Sequence, residues 1–391
     1  MIIPPHLAHL PAPSPEAQAL SDELSALIAR EIDEAGGWIS FARYMELALY
    51  APGLGYYSAG SRKLGEGGDF VTAPELSPLF ARCIARQWAQ LHGEGLCNVL
   101  EIGAGSGALA ADLLLEMHAL GCVPEAYFIL ELSADLRERQ RKRLLQHAPE
   151  MIARVQWMDT LPAQLEGMVL ANEVLDATPA RMVTTRSGDT REFFVRHGAA
   201  ANTFYRDEAG TSEEVRRAVE SLHLSADDYQ TEINLTARAL VTSLSRLLTR
   251  GVLLFIDYGF PAREFYHPQR TRGTLMCHYR HHAHDDPFAF VGLQDITTHV
   301  DFSAVAAAAL DGGATLAGYT SQANFLINCG ITLLLAQTPA SDVRAYAPLA
   351  AQAQKLLSPA EMGELFKVIA FGKHFDLPLV GFTRGDKSHT L

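Results

Sequence analysis

Cysteine, basic residues and long apolar runs are scarce in this sequence, and each scarcity excludes a class of protein. The 391 residues contain five cysteines, which show neither a disulfide framework nor the spacing of a zinc site. Lysine and arginine number 32 against 45 aspartates and glutamates, and the net charge of -13 argues against nucleic acid as the main partner. No stretch approaches the roughly 20 apolar residues of a membrane span, so we expect no membrane insertion.

The N-terminal residues also lack targeting features. The stretch MIIPPHLAHLPAPSPEAQ has no basic segment and no long apolar run. It therefore predicts neither a secretory signal nor an arginine-rich transit peptide. Because the scattered cysteines favour a reducing compartment, we expect a cytoplasmic protein.

A glycine-rich motif is the most informative stretch of the sequence. In VLEIGAGSGALAADLLL, residues 99–115, a short apolar run precedes Gly103, Gly105 and Gly107, and apolar residues at helical spacing follow them. This order predicts a strand, a tight turn and a helix. Glycine tolerates positive φ and lets a ligand touch the backbone, and a helix N-terminus offers free N–H groups. The turn therefore predicts a nucleotide-like ligand.

Two cofactors fit this turn. Gly103, Gly105 and Ala108 satisfy the dinucleotide pattern G-x-G-x-x-G/A. Glu101 adds the acidic residue that precedes the glycines in the methyltransferase pattern E/D-x-G-x-G-x-G. A carboxylate repels a pyrophosphate, whereas S-adenosylmethionine carries cationic groups and no phosphate. Glu101 therefore favours S-adenosylmethionine as the cofactor, with S-adenosylhomocysteine as the product.

Short apolar runs alternate with helical patterns after Val99, which predicts a parallel sheet buried on both faces. The predicted strands cover residues 98–102, 126–130, 155–158, 167–171 and 251–256, with a last strand near residues 378–382. The first five end at polar or acidic residues, and open α/β sheets bind ligands at that edge. The predicted fold is α/β, with a Rossmann-like doubly wound sheet.

The pattern also predicts three regions along the chain. Residues 1–95 read as a helical N-terminal cap. Residues 96–180 and 231–391 form the cofactor-binding core. Residues 181–230 form an inserted acceptor region, in which alternation on both sides of Ser187 and Gly188 predicts a β-hairpin.

Carboxylates follow the second and third predicted strands. Glu131 ends the second strand, where an acidic residue commonly accepts hydrogen bonds from the two ribose hydroxyls. Asp159 follows the third strand, where it could receive the adenine amino group or simply close a turn. Both residues are candidates for cofactor binding.

A second polar group, Asn172, Glu173 and Asp176, follows the fourth strand, the strand that faces the transferred methyl group in this fold. Carboxylates there could hold a guanidinium in a bidentate pair and orient the attacking nitrogen. A helix-capping cluster is the structural alternative. We predict that these three residues act on the acceptor, and that Asn172 also contacts the cofactor.

Two further segments are candidates for the site. In GDFVTAPE, residues 68–75, Asp69 and Thr72 read as part of a cover over the cofactor, or as a capping box in which Thr72 is the cap. The segment from His278 to His284 is dense in histidine and is expected to form a solvated loop. It lacks the fixed spacing of zinc ligands, so we expect no metal site.

Taken together, the motifs resemble the MidA family, which comprises the mitochondrial complex I assembly-factor methyltransferases and their bacterial relatives. The resemblance runs from Ile39 to MGELFKVIAFGK near the C-terminus, and it is carried by GDFVTAPE, LEIGAGSG, ANEVLDATP, IDYG, GTLMCHYRHH and DITTHVDF. It implies a class I S-adenosylmethionine-dependent fold and methylation of arginine in a protein substrate, with complex I assembly as the setting. It places Glu101, Gly103, Gly105, Gly107 and Glu131 at the cofactor.

Two other functions stay open from the residues alone. The glycine pattern permits an NAD-dependent oxidoreductase. The fold could also serve as a non-catalytic assembly platform that needs no acceptor pocket. A homodimer is compatible with either function.

Overall fold

The structure is a computed structural model, and it describes residues 7, 9–59, 72–200, 202–224 and 226–391. The chain divides into two compact units built from separate stretches. Unit 1 takes its residues from 1–70, 175–238 and 262–299, and unit 2 takes its residues from 71–174, 239–261 and 300–391. The predicted cap, residues 1–95, is thus divided between the two units.

The helices and strands are numbered along the chain. The helices are α1 (Pro15–Glu34), α2 (Phe41–Tyr50), α3 (Ala73–Leu76), α4 (Pro78–Gly93), α5 (Ala108–Ala119), α6 (Ala134–His147), α7 (Glu213–Glu220), α8 (Leu235–Leu247), α9 (Ala262–Phe265), α10 (Phe302–Asp311), α11 (Gln322–Asn328), α12 (Ile331–Leu335) and α13 (Val343–Leu357). The strands are β1 (Ile39–Ser40), β2 (Asn98–Ile102), β3 (Ala126–Leu130), β4 (Val155–Met158), β5 (Leu165–Asn172), β6 (Arg181–Arg186), β7 (Asp189–His197), β8 (Phe204–Gly210), β9 (Tyr229–Ile233), β10 (Leu248–Phe260), β11 (Met276–Tyr279), β12 (His282–His284), β13 (Asp295–Thr297), β14 (Val300–Asp301), β15 (Thr315–Ser321) and β16 (Phe366–Lys373).

Unit 2 is built on one sheet with the strand order β15-β16-β10-β5-β2-β3-β4, and β14 pairs with β10. The five strands from β10 to β4 are parallel, and β16 runs antiparallel to both of its neighbours. Short runs such as VLEI and AYFIL form these strands because their apolar side chains are buried on both faces of a parallel sheet. The predicted doubly wound α/β architecture is therefore present.

The register of the parallel strands brings their carboxyl ends to one edge. Ile102 of β2 pairs with Leu130 of β3 on one side and with Ala171 of β5 on the other. The chain then continues outward in opposite directions, through β4 beyond β3 and through β10 beyond β5. Such a reversal of strand order opens a crevice at the carboxyl edge, next to the end of β2.

Helices pack on this sheet and complete the core of unit 2. Trp88 of α4 is fully buried, and its indole N–H donates a 2.6 Å hydrogen bond to the carbonyl of Cys122. Leu113 and Met117 of α5 lie on the same core face and are also fully buried. Burial of each such side chain contributes about 1.5–3 kcal/mol, which fixes the helix that follows the glycine turn.

Unit 1 contains two antiparallel sheets. One has the order β1-β7-β6-β9, with β8 on β7, and the other has the order β12-β11-β13. The predicted hairpin is β6 and β7, whose turn holds Ser187 at φ 49° and Gly188 at φ 81°, the positive values of a type I′ turn. The histidine-rich segment, which the sequence suggests is a solvated loop, forms the hairpin β11–β12 instead.

The end of the chain corrects one further expectation. The last strand is β16 at Phe366–Lys373, and residues Val380–Phe382, predicted as a strand, form a turn of 3₁₀ helix.

Within the described residues, no helix combines the length and the hydropathy that crossing a membrane requires.

Candidate functional site

The glycine turn at the end of β2 is shaped by left-handed backbone. Gly103, Gly105 and Gly107 have φ values of 65°, 54° and 82°, which residues with a side chain rarely adopt. Gly107 is also the N-cap of α5, and a Cβ there would lie 3.0 Å from the Cα of Gln140. The sequence motif therefore forms the predicted tight turn, and it directs the N-terminus of α5 to the carboxyl edge of the sheet.

Glu101 lies inside β2, two residues before the turn. Its side chain is almost fully buried and accepts a 2.7 Å hydrogen bond from the hydroxyl of Tyr127 on β3. Burial raises the pKa of the Glu101 carboxyl to about 7, and the nearby Glu131 carboxylate adds to the rise. A cationic group beside Glu101 would reverse this effect, because it would stabilise the charged form.

Glu131 follows β3 directly. Its Oε1 accepts from the backbone N–H of Ser133 at 2.9 Å, and its Oε2 accepts from Nε2 of Gln140 at 3.0 Å. Burial raises the pKa of Glu131. The next residue, Leu132, exposes 78% of its surface. An acceptor for hydroxyls thus lies beside an exposed apolar side chain, a combination that suits an adenosine.

Asp159 follows β4 and forms an ion pair with Arg137 of α6. The Asp159 side chain is 83% exposed. Arg137 also donates to the carbonyls of Glu131 and Met158, at 2.6 and 2.8 Å, so one guanidinium joins the ends of β3 and β4. The ion pair gives Asp159 a structural role, and its predicted contact with adenine stays a prediction.

Asn172 and Glu173 lie at the end of β5. Glu173 has φ 53°, an uncommon backbone for a residue with a side chain, and its N–H donates to the carbonyl of Ile256 on β10. Nδ2 of Asn172 donates to Oε1 of Glu173 at 3.1 Å. Oδ1 of Asn172 is buried and has no hydrogen-bond partner among the described residues. A ligand with a donor group would satisfy that oxygen.

Asp257 lies within the neighbouring β10, one residue beyond the pair that Ile256 forms with Asn172, and it holds this corner in place. Its carboxylate accepts from the backbone N–H of Val174 at 3.2 Å and from its own neighbour Tyr258 at 2.9 Å. Asp257 belongs to the motif IDYG but was not among the predicted site residues. Its place directly after the predicted strand 251–256 was the signal that could have identified it.

The start of α3 makes a second set of contacts with the glycine turn. Glu75 accepts from the hydroxyl of Ser106, and its two carboxylate oxygens accept from Arg143 at 2.6 and 3.1 Å. Burial alone would raise the pKa of Glu75, but the hydrogen bonds from Arg143 and Ser106 lower it overall. Thr72 is the N-cap of α3 without a side-chain cap bond, so the expected capping box is absent. Asp69 lies outside the described residues.

Asp176 belongs to unit 1, where it lies near the buried pair of Tyr57 and Asp295, neither of which was a predicted site residue. The hydroxyl of Tyr57 donates a 3.0 Å hydrogen bond to Oδ1 of Asp295. Burial raises the pKa of that hydroxyl well above 10, and the nearby carboxylates of Asp295 and Asp176 add to the rise. Asp176 accepts a hydrogen bond at its carbonyl from the N–H of Thr298. Residues far apart in sequence form this group, so no local pattern marks it.

Within the part of the chain that the structure describes, no three histidine, cysteine or acidic side chains are grouped closely enough to hold a metal ion. Cys277, next to the histidines, is fully buried in β11.

The edge of the sheet in unit 2 therefore fits an adenosine cofactor. It combines three left-handed glycines, the N-terminus of α5, the Glu131 carboxylate and the unsatisfied oxygen of Asn172. A cationic group of the ligand would lower the raised pKa of Glu101 and so stabilise its charged form. A ligand without phosphate also needs no cluster of lysine and arginine at the turn.

Comparison with known proteins identifies the ligand class. Residues 79–320 match a family of S-adenosyl-L-methionine-dependent methyltransferases. A crystal structure from Burkholderia thailandensis, bound to S-adenosyl-homocysteine, shares 52% identity and superposes with a TM-score of 0.94 over 98% of this chain and 100% of that one. These findings confirm the class I fold and S-adenosylmethionine, rather than NAD, as the cofactor.

Curated relatives extend the comparison. The mouse protein arginine methyltransferase NDUFAF7, mitochondrial, is 29% identical over 86% of this chain and 82% of its own length. The human protein of the same name is 28% identical over 86% and 81%. Both are mitochondrial by name. The expectation of a cytoplasmic location, which rested on the scattered cysteines and the N-terminal composition, is therefore wrong by this comparison.

Proposed function

The chain belongs to the family of S-adenosyl-L-methionine-dependent methyltransferases, and from this premise we propose that it methylates an arginine side chain of a protein. The proposal is carried by the similarity to the mouse and human relatives, which are named protein arginine methyltransferases and align with 86% of the chain. The acidic residues at the ends of the strands supply the matching chemistry, because a guanidinium is a permanent cation.

We assign the cofactor to the residues around the glycine turn. When bound, S-adenosylmethionine supplies an electrophilic methyl group on its sulfonium sulfur. The glycine turn, which contains Gly103, Gly105 and Gly107, would let the cofactor approach the protein backbone closely. Glu131 would accept hydrogen bonds from the two ribose hydroxyls. Glu101 offers a carboxylate to the cationic amino acid end. The exposed side chain of Leu132 would offer the adenine an apolar contact.

The acceptor residues of unit 2 are Asn172 and Glu173. The guanidinium nitrogen attacks the methyl carbon while the carbon–sulfur bond breaks, and the acceptor loses one proton during or after the transfer. Glu173, fixed by its bond to the carbonyl of Ile256, orients the nitrogen, and Asn172 fixes the Glu173 carboxylate. Positioning of this kind supplies most of the catalysis in a reaction without acid or base chemistry on the leaving group.

Asp176 is the third acceptor residue that we propose. It follows Asn172 and Glu173 by a few positions in ANEVLDATP, and its side chain is buried. A carboxylate can bind a guanidinium through a bidentate pair of hydrogen bonds, so Asp176 is a candidate to bind the acceptor.

We extend the proposal to the partner. The resemblance to the assembly-factor methyltransferases suggests that the acceptor protein is a subunit of respiratory complex I. A homodimer stays a prediction on which this role does not depend.

A transfer assay tests the function. The purified chain is incubated with methyl-labelled S-adenosylmethionine and protein extracted from cells that lack this methyltransferase, and the labelled proteins are digested and sequenced by mass spectrometry. The expected result is label on arginine of one or a few proteins. Label on lysine, or only on small molecules, contradicts the arginine proposal.

The non-catalytic alternative is tested by biological rescue. Gly105→Val places a branched side chain at φ 54° and blocks the cofactor turn. We expect this variant to fail in restoring complex I activity to cells without the wild-type protein. Full rescue by a variant that binds no S-adenosylhomocysteine would favour the assembly platform.

A further inference from the structure

Gln140 is a polar side chain without a role in the assignments above, although it is fully buried at the centre of the cofactor residues. It lies on α6, with 0% of its surface exposed. Its Nε2 donates to the carbonyl of Gly105 at 2.9 Å and to Oε2 of Glu131 at 3.0 Å. One amide group therefore joins the glycine turn to the carboxylate that follows β3.

A third hydrogen bond fixes the direction of this amide. The indole N–H of Trp157, on β4, donates to Oε1 of Gln140 at 2.8 Å. An indole can only donate, so Oε1 must face Trp157 and Nε2 must face the two acceptors. Both hydrogens of Nε2 are then used, and a flip of the amide would break all three hydrogen bonds.

Close approach of α6 to the turn makes this arrangement possible. A Cβ on Gly107 would lie 3.0 Å from the Cα of Gln140 and 3.3 Å from its Cβ. Arg143, one helical turn later, donates to the hydroxyl of Ser106 at 2.7 Å. Gln140 and Arg143, one turn apart on α6, therefore hydrogen-bond to Gly105 and Ser106, two consecutive residues of the glycine turn.

We propose that Gln140 is a positioning residue for S-adenosylmethionine. Its amide orients the Glu131 carboxylate toward both ribose hydroxyls and holds the Gly105 carbonyl at a fixed distance from that carboxylate. A carboxylate has about four lone-pair positions. Ser133 donates to one carboxylate oxygen and Gln140 to the other, so both oxygens are oriented while part of the acceptor capacity is left for hydroxyls. The proposal rests on the assignment of Glu131 to the ribose.

The test compares two ligands rather than activity. Calorimetric titration gives the Kd of the full chain for S-adenosylhomocysteine and for its 2′-deoxyribose analogue. The ratio of the two Kd values measures how well Glu131 recognises the hydroxyl. We expect wild type to prefer the ribose form by about tenfold or more, as for a hydrogen bond to a charged group.

Gln140→Leu keeps the size of the side chain and removes all three hydrogen bonds. We expect at least a tenfold loss of affinity for S-adenosylhomocysteine, and a fall in the ribose preference to about twofold or less. Leu144→Ala is the matched control, because Leu144 is also fully buried on α6 and makes no side-chain hydrogen bond. It lowers the melting temperature but keeps the ribose preference of wild type.

Trp157→Phe is the milder variant if Gln140→Leu does not fold. It leaves both donors of Gln140 in place and removes the indole that fixes the amide, so the ribose preference falls by a smaller factor. An unchanged preference in Gln140→Leu, or in Trp157→Phe when that variant alone folds, overturns the proposal. A wild-type protein that binds S-adenosylhomocysteine without preferring ribose instead overturns the role of Glu131.

Discussion

The hydroxyl of Tyr127 on β3 donates a 2.7 Å hydrogen bond to the buried carboxylate of Glu101 on the neighbouring β2. This single bond does not offset the loss of water around the carboxylate, because burial still raises its pKa from 4.5 to about 7. The protein therefore keeps a destabilising charge at neutral pH, next to the turn where the cofactor is assigned.

Glu101→Gln should stabilise the protein without its ligand at alkaline pH. Above pH 7 both the folded and the unfolded Glu101 are charged, and the raised folded pKa then costs about 3 kcal/mol. As the pH falls through 7 toward 4.5, the folded state binds the extra proton and this cost disappears. Urea unfolding should thus show a gain of up to about 3 kcal/mol for the variant at pH 8 and almost none at pH 4.5. An equal gain at both pH values would rule out Glu101 titration as the cause.

Binding of S-adenosylmethionine should release protons near pH 7. A cationic group beside Glu101 lowers the raised pKa of this carboxyl, so the fraction of Glu101 that is protonated in the free protein loses its proton on binding. Titration calorimetry in two buffers of different ionisation enthalpy measures the release directly. About half a proton is expected at pH 7 and almost none at pH 9. Glu101→Gln should abolish the release, and a release that persists in this variant would assign it to another group.

Replacement of Glu173 should separate catalysis from folding. Glu173→Gln keeps the backbone at φ 53° and loses the carboxylate, so we expect methyl transfer to be abolished while S-adenosylhomocysteine binds with unchanged Kd. Glu173→Gly loses transfer as well but relieves the left-handed backbone, which should raise the free energy of unfolding by up to about 1 kcal/mol.

His223→Gly serves as the control for this pair. His223 has φ 49° in unit 1 and no assigned role, so its replacement should give a similar gain in stability with full activity. Full transfer by Glu173→Gln would show that the carboxylate does not orient the acceptor.

Asp176 should affect the acceptor rather than the cofactor. Asp176→Asn is expected to raise the KM for the acceptor protein about tenfold or more, with the Kd for S-adenosylhomocysteine unchanged, because it removes the carboxylate that we assign to the acceptor guanidinium. Tyr57→Phe should cost about 1–2 kcal/mol of unfolding free energy, since Asp295 loses the donor at 3.0 Å.

Glu232→Gln is the matched control, since Glu232 is another buried carboxylate of unit 1. It accepts hydrogen bonds from Thr274 and Leu275 and has no assigned role at the acceptor. An equal rise in KM for Glu232→Gln would mean that any loss of stability in this unit reduces acceptor binding.

The sequence predicted well where the signal is local. The strands at 98–102, 126–130 and 155–158 lie where their apolar runs place them, because each run is bounded by turn residues and buried on both faces. Three glycines at alternate positions predicted the left-handed turn, since few other residues adopt its φ values. Residues next to these strands, such as Glu131, followed from the geometry of a parallel sheet.

Long-range contacts were beyond the sequence. Gln140 reads as one polar residue in a charged helix, and only the packing of α6 against the glycine turn shows it to be buried. Tyr57 and Asp295 are 238 positions apart and meet through the folding of unit 1. Glu75 looked like the partner of Thr72 in a capping box, but Arg143, far along the chain, is the stronger partner for its carboxylate.

The position of β16 has a consequence for how the protein is made. This strand, residues 366–373, lies between β10 and β15 in the sheet and pairs with both. On the ribosome it emerges after almost every other element, so until then the edges of β10 and β15 expose unpaired backbone and apolar side chains. Such edges can pair with another chain. Synthesis that stops before residue 366 should therefore yield aggregates rather than a smaller working enzyme, and a nascent chain at this stage should depend on chaperones.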